Sequence, residues 1–153
     1  MEVQGVSGIQ LMTKAGRVAF EVIEQSYSPA TKLYIFCGGG NNGGDGFVVA
    51  GLAADADWSV CLIDLSNPKK LSDAARQARN FALERVQEVI NKLPDLTGQE
   101  VDQAGLLVDA LVGIGFSGEL RGRPLDACQR INQSNLPVVS LDVPSGINAD
   151  TGA

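Results

Sequence analysis

A chain of 153 residues, 44% hydrophobic and 20% charged, is sized for one domain with its own core. Its net charge of −6 and lack of any basic block argue against a nucleic-acid or anionic-membrane surface. It has no histidine and only three cysteines, widely spaced, so zinc sites and Ser-His-Asp catalysis are excluded within the chain.

Cys37, Cys61 and Cys128 sit in apolar contexts and read as small buried hydrophobes of a reducing compartment. The first residues lack the basic and apolar regions of a signal peptide, and no run approaches the ~20 apolar residues of a membrane span. The expected location is cytoplasmic.

In chain order, Ser7 to Gln25 carries Ile9, Met12, Ala15, Ala19, Val22 and Ile23 at helical spacing behind a Ser7 cap, which predicts an amphipathic helix. Lys32 to Cys37 is a short, continuously apolar strand. It runs into Cys37-Gly-Gly-Gly-Asn-Asn-Gly-Gly-Asp-Gly46, where six of ten residues are glycine. Such a stretch at a strand-to-helix junction predicts a loop whose backbone a ligand can touch. The helix N-terminus behind it favours a phosphate or a phosphate-bearing cofactor. Asn42 to Ala56 is the helix, with Val48, Val49, Leu52 and Ala53 inward.

Trp58 to Leu65 predicts a second apolar strand, and Ser72 to Arg85 a helix with Ala75, Ala78, Phe81 and Ala82 on one face. Glu88 to Leu93 is a weaker strand. Thr97 to Ala104 predicts one or two helical turns exposing Glu100 and Asp102. Gly105 to Val112 is a buried strand followed by a second glycine-rich loop, Gly113 to Arg123. Pro124 suits a helix N1 position, Leu125 to Gln133 continues that helix, and Pro137 to Val143 is the last strand.

Apolar strands separated by helices predict an α/β fold, a Rossmann-like three-layer αβα sandwich with a mostly parallel sheet. Ligands of such sheets bind beyond the carboxyl ends of the strands, at the switch point in strand order. Three segments occupy that kind of position: those after Cys37, after Asp109–Val112 and at Asp142.

Without histidine, acid–base chemistry falls to carboxylates. Asp109 interrupts an apolar strand, where a lone carboxylate is costly unless paired, hydrogen-bonded or cation-bound; its plainer role is to cap the neighbouring glycine loop. Asp142 ends the last strand and reads equally well as a turn residue. Asp45 has the plain role of capping the helix that follows. Asn42, Asp109 and Ser145 together are oxygen donors for a hard cation, and one carboxylate with neutral oxygens suits a monovalent ion better than calcium. Arg121 and Arg123 are the plausible phosphate clamps.

Gly40-Asn-Asn-Gly-Gly-Asp-Gly46, Asp109-Ala-Leu-Val-Gly-Ile-Gly115 and Asp142-Val-Pro-Ser-Gly-Ile-Asn-Ala-Asp-Thr-Gly152 resemble the three signature segments of the YjeF N-terminal domain family, in order and separation. Its main enzymatic members are NAD(P)H-hydrate epimerases, which interconvert the R and S forms of hydrated NADH and NADPH (NAD(P)HX) in nicotinamide-cofactor repair. The resemblance implies that Asn41, Asn42, Gly43, Gly44 and Asp45 bind the hydrated dinucleotide. Gly113, Ile114, Gly115, Phe116, Ser117, Gly118, Glu119 and Asp142 would do the same. It implies a potassium ion on Asn42, Asp109 and Ser145, with Asp142 or Asp109 moving the proton.

Implied partners are a second copy in a homodimer and an ADP/ATP-dependent NAD(P)HX dehydratase, fused or separate. Ile114 stands where the family usually has threonine. The chain also stops after Asp-Thr-Gly, whereas the family continues, so residues 1–153 are expected to form a single domain lacking its C-terminal part. A non-catalytic dinucleotide- or protein-binding scaffold is the alternative on the same fold. An ordinary dinucleotide dehydrogenase is a third reading, with Asp64 the only acidic residue suited to the ribose.

Overall fold

The structure, a computed structural model, describes residues 7–99, 101–111 and 122–141. Five parallel strands lie in the order β3-β2-β1-β4-β5: β1 Leu33–Cys37, β2 Val60–Asp64, β3 Glu88–Ile90, β4 Leu106–Ala110 and β5 Val138–Ser140. The α-helices are α1 Gly8–Ser26, α2 Asn41–Asp55, α3 Asp73–Leu83 and α4 Gly122–Gln133.

The three inner strands β1, β2 and β4 are buried at every position. Their unbroken apolar sequences are what two covered faces require. Leu33, Ile35, Leu62, Leu106 and Val108 point into the core shared with α1, α2 and α3. Alternate residues, among them Tyr34, Phe36, Ile63, Leu107 and Leu111, face the layer that holds α4, where Ala127, Cys128 and Ile131 pack with Leu96 and Val101. β3 and β5 are shorter than expected. Among the described residues they are the edges of the sheet, and Val89 and Val138 are exposed there.

Ser7 caps α1 through a reciprocal capping box with Gln10. The helix buries Met12, Gly16, Phe20 and Ile23, so its inner stripe differs from the expected one: Ala15 and Val22 are exposed. Gly16 explains the shift, because a Cβ there would strike Val48 of α2. A core-facing glycine carries no apolar signal. Phe20 meets Trp58 edge-on, with ring centroids 5.7 Å apart.

Residues 97–99 and 101–104 form turns and bends rather than the expected helical turns, and Glu100 lies outside the described residues. Asp95 Oδ1 accepts from the Thr97 amide, and Asp102 Oδ1 from the Ala104 amide. Such side-chain bonds to the backbone compete with helix. The Tyr34 hydroxyl accepts from the Asp102 amide at 2.6 Å and ties the segment to β1. Arg130 of α4 donates to the carbonyls of Leu93 and Pro94. α4 starts at Gly122, so Pro124 sits within its first turn rather than at N1.

Candidate active site

The strand order reverses between β1 and β4, and their carboxyl ends open at one place. Cys37 pairs with Ala110, and the Gly38 amide donates to the Ala110 carbonyl at 3.0 Å. α2 begins at Asn41, so the glycine-rich stretch is mostly helix rather than loop. Only Gly38 to Gly40 connect strand and helix.

Most of these glycines serve close packing within the protein. A Cβ on Gly38 would strike the Leu111 carbonyl oxygen, and one on Gly43 the carbonyl oxygen of Gly38. A Cβ on Gly44 would strike Met12, and one on Gly46 would lie 2.5 Å from the Ala110 Cβ. Open space surrounds only Gly39 and Gly40. Those two positions leave backbone accessible to a ligand. Asp45 does not cap α2, because it lies inside the helix; Gly40 is the N-cap and offers no side-chain hydrogen bond.

Two polar side chains are buried at this junction: Asn42 at 7% exposure and Asp109 at 5%. Asp109 lies opposite Phe36 in the β1–β4 ladder, and strand alternation puts it on the α4 side with Leu107 and Leu111. Its Oδ1 accepts from the Leu111 amide at 3.1 Å, so it does cap the turn leaving β4. Burial, and after it the Asp109 charge, pushes the Cys128 thiol of α4 up to about 11. Asn42 stands in the first turn of α2, in the opposite layer. By chemistry, an amide oxygen and one carboxylate make a donor set that fits a hard monovalent cation. Among the described residues, no three acidic or thiol side chains gather as a divalent or transition metal would need.

Asp142, Ser145 and Gly113 to Glu119 lie outside the described residues, as does Arg121. Leu141, just before Asp142, donates its amide to the Asp109 carbonyl at 3.0 Å. Arg123 is in α4 and donates to the Asn91 carbonyl.

Asp64, at the end of β2, is the third buried polar side chain among the described residues and the second buried carboxylate. Its oxygens accept from the Ser66 amide and hydroxyl (3.0 and 2.6 Å) and from Arg79 Nε (2.7 Å). These bonds tie β2 to α3, and they occupy the carboxylate that a dehydrogenase would turn toward a ribose.

Ser72 and Asp73, unremarked in the sequence, line a cleft with Asn41 and Asp45. The signal was available: a helix following a parallel strand starts at the strand's carboxyl end, and Ser72 caps α3 through the Ala75 amide.

The family model described as YjeF-related protein N-terminus matches residues 8–153. The chain belongs to this family. A bifunctional NAD(P)H-hydrate repair enzyme of Coxiella burnetii is 39% identical over 150 residues, covering 97% of this chain and 30% of that protein. An NAD(P)H-hydrate epimerase of Plasmodium knowlesi is 39% identical over 148 residues, 95% of this chain and 50% of that one. The NAD(P)H-hydrate epimerase of Limosilactobacillus fermentum is 33% identical, with 97% and 69% covered. The YjeF-related chain thus spans from under a third to about two thirds of these relatives. The crystal structure of yeast ynu0, YNL200c, superposes with a TM-score of 0.77 at 21% identity, over 96% of this chain and 65% of that one, and shows the same fold.

Proposed function

We propose that this chain carries the epimerase site for hydrated NADH and NADPH, interconverting the R and S forms so that an NAD(P)HX dehydratase, separate or fused, can act on one of them. The observation that carries this reading is the meeting of two signature segments at the switch point. The turn of α2 that holds Asn41 to Asp45 and the β4 end that holds Asp109 adjoin there, in a family whose curated relatives bear that activity in their names.

The reaction inverts the hydroxyl-bearing ring carbon, by loss and re-addition of water or by ring opening. Either route moves a proton to and from that hydroxyl. Asp142 or Asp109 is the group for this step. In a chain without histidine, a carboxylate held at a strand end is the remaining base of suitable strength. The open backbone at Gly39 and Gly40 and the start of α2 suit the phosphates. Gly113, Ile114, Gly115, Phe116, Ser117, Gly118 and Glu119 would form the facing wall. Asn42, Asp109 and Ser145 would hold potassium, which when bound supplies a fixed charge that orients oxygens. The protein is proposed to be cytoplasmic and to pair as a homodimer.

The test is to follow the two hydrate epimers by chiral separation, with folded protein and with potassium or sodium. Accelerated interconversion, faster in potassium, is the expected result. No acceleration would leave the scaffold reading in its place.

A further inference from the structure

A cavity of about 340 Å³ lies at the carboxyl ends of β2 and β3, lined by Asp64, Arg79, Val89, Ile90, Asn91 and Lys92. We infer that it binds a phosphomonoester: the 2′-phosphate of hydrated NADPH, with Arg79 and Lys92 as the specificity-determining contacts. The identity of the ligand rests on the epimerase reading of the neighbouring switch point.

The charges of the cavity are unlike those of the chain, whose net charge is −6. Asp64 is the one carboxylate that lines it among the described residues, and it is already engaged. Its Oδ1 accepts from the Ser66 amide and hydroxyl, and its Oδ2 from Arg79 Nε at 2.7 Å. The ion pair is neutral as a unit, but it uses Nε alone. Among the described residues neither Nη of Arg79 has an acceptor, and the side chain is 23% exposed. Lys92 is exposed, and no ion pair between described residues involves it. Arg123 of α4 donates to the Asn91 carbonyl and brings a third cation to the rim. Two cations therefore stand in excess of the one carboxylate, against the roughly −1.5 to −2 charge of a phosphomonoester at pH 7. A planar guanidinium with two open Nη groups suits phosphate oxygens. A bare ribose finds less here, because the acceptor for its 2′-hydroxyl is turned to Arg79 and Ser66. Val89 and Ile90 supply an apolar wall for the sugar and base.

Position links the cavity to the rest of the site. In the sheet order it lies on one side of β1 and Asp109 on the other. Cys37 pairs with Asp64, and the Leu65 amide donates to the Cys37 carbonyl at 3.0 Å. The chain leaving β2 thus runs beside the connection that carries the open backbone of Gly39 and Gly40. The ends of β2 and β3 are one and two strand spacings from β1, about 5–10 Å. A single ribose with 5′- and 2′-phosphates can bridge that span, its 5′-phosphate at the start of α2.

The test combines ¹⁵N spectra of the whole chain with epimerase kinetics. The probes are 2′-AMP, adenosine and inorganic phosphate. We expect 2′-AMP to shift the amides of Asn91 and Lys92 and the Nε–H of Arg79, and adenosine to leave them in place. Shifts by adenosine alone would make the cavity a nucleoside pocket and overturn the phosphate assignment. Inorganic phosphate binding as tightly as 2′-AMP would assign the cavity to free phosphate and overturn the nucleotide source. In kinetics, Lys92→Gln is expected to raise the KM for hydrated NADPH about tenfold, as loss of a charge-assisted hydrogen bond does, with the KM for hydrated NADH and the melting temperature unchanged. Arg79→Lys keeps a cation for Asp64 but withdraws the planar fork, and is expected to raise the same KM; if it does not fold, Lys92→Gln decides. Equal changes for the two substrates, or none in Lys92→Gln, would overturn the assignment. Epimerase activity without any response to 2′-AMP refutes the cavity assignment alone. Shifts by 2′-AMP in a protein that accelerates no epimerisation refute the epimerase reading and leave a phosphomonoester site.

Discussion

Gly38 and Gly39 are adjacent and chemically identical, yet the structure gives them different work. The Leu111 carbonyl leaves no room for a side chain at Gly38, and nothing lies within 4 Å of the site a Cβ would take at Gly39. Gly38→Ala and Gly43→Ala should each cost about 2–4 kcal/mol in urea unfolding, because backbone atoms must move. Gly39→Ala should cost less than about 0.5 kcal/mol. Gly44→Ala belongs between them, since its obstacle is the flexible end of Met12. Equal losses at Gly38 and Gly39 would show that the glycines answer to backbone entropy instead.

Asp109 allows a separate measurement. If Asn42 and Asp109 hold potassium, exchanging sodium for potassium raises the melting temperature. Ion at about 100 times its Kd corresponds to about 2.7 kcal/mol. Asp109→Asn should abolish that rise while the sodium-state protein still unfolds cooperatively. A rise that survives in the variant places the ion elsewhere.

Among the elements, α2 has a well-defined carboxyl end. It stops where Asp57 takes φ 65°, with the Trp58 amide donating to the Ala53 carbonyl and the Asp57 amide to that of Ala54. This is a Schellman ending with aspartate where glycine is favoured. Asp57→Gly should therefore stabilise the protein by about 0.5–1 kcal/mol, read as a higher urea midpoint. For α1, Ser7→Ala should cost about 1 kcal/mol by removing the acceptor for the Gln10 amide.

Elements were legible in the sequence to different depths, for physical reasons. β1, β2 and β4 could be read because burial on two faces demands unbroken apolar runs. Helix α2 was placed to within a residue, but the work of its glycines was misread: glycines that packing requires look the same as glycines that a ligand-binding loop requires. The stripe of α1 was misread because Gly16 and Phe20, not Ala15 and Val22, face inward. At the site, the strand-end carboxylate could be picked out by its apolar surroundings, and the asparagine only as an oxygen donor in the glycine-rich stretch. The cleft with Ser72 and Asp73 could not, since it exists only once α1 lies across α2 and α3.

For the whole molecule, the buried thiols set an alkaline limit. Burial, with the nearby Glu88, pushes Cys61 from 9.0 up to about 12; burial, with Asp109, pushes Cys128 up to about 11. Cys37 is raised as well, by burial and then by Asp64. In the unfolded chain these thiols ionise near their ordinary value, so the folded state binds more protons above it. Stability is fully present below pH 9 and is lost as pH rises toward 11 and 12. Lys32, raised by its hydrogen bond to Glu88, acts in the same direction. Thermal melts from pH 8 to 11 should show a falling midpoint, and Cys61→Ala should flatten the fall. A flat profile in the wild type would show that the thiols ionise without unfolding.

The central place of β1 also bears on how quickly the protein reaches its native state. Leu33 pairs on one side with Val60 and on the other with Leu106, one partner near in sequence and one far. The β1–β2–β3 half can form from successive crossovers, whereas β4 must close a much longer loop before it contributes a single ladder bond. Until it does, the apolar edge of β1 is open to any other chain. Refolding yield should consequently fall as protein concentration rises, and early hydrogen-exchange protection should reach Cys61 and Leu62 before Leu107 and Val108.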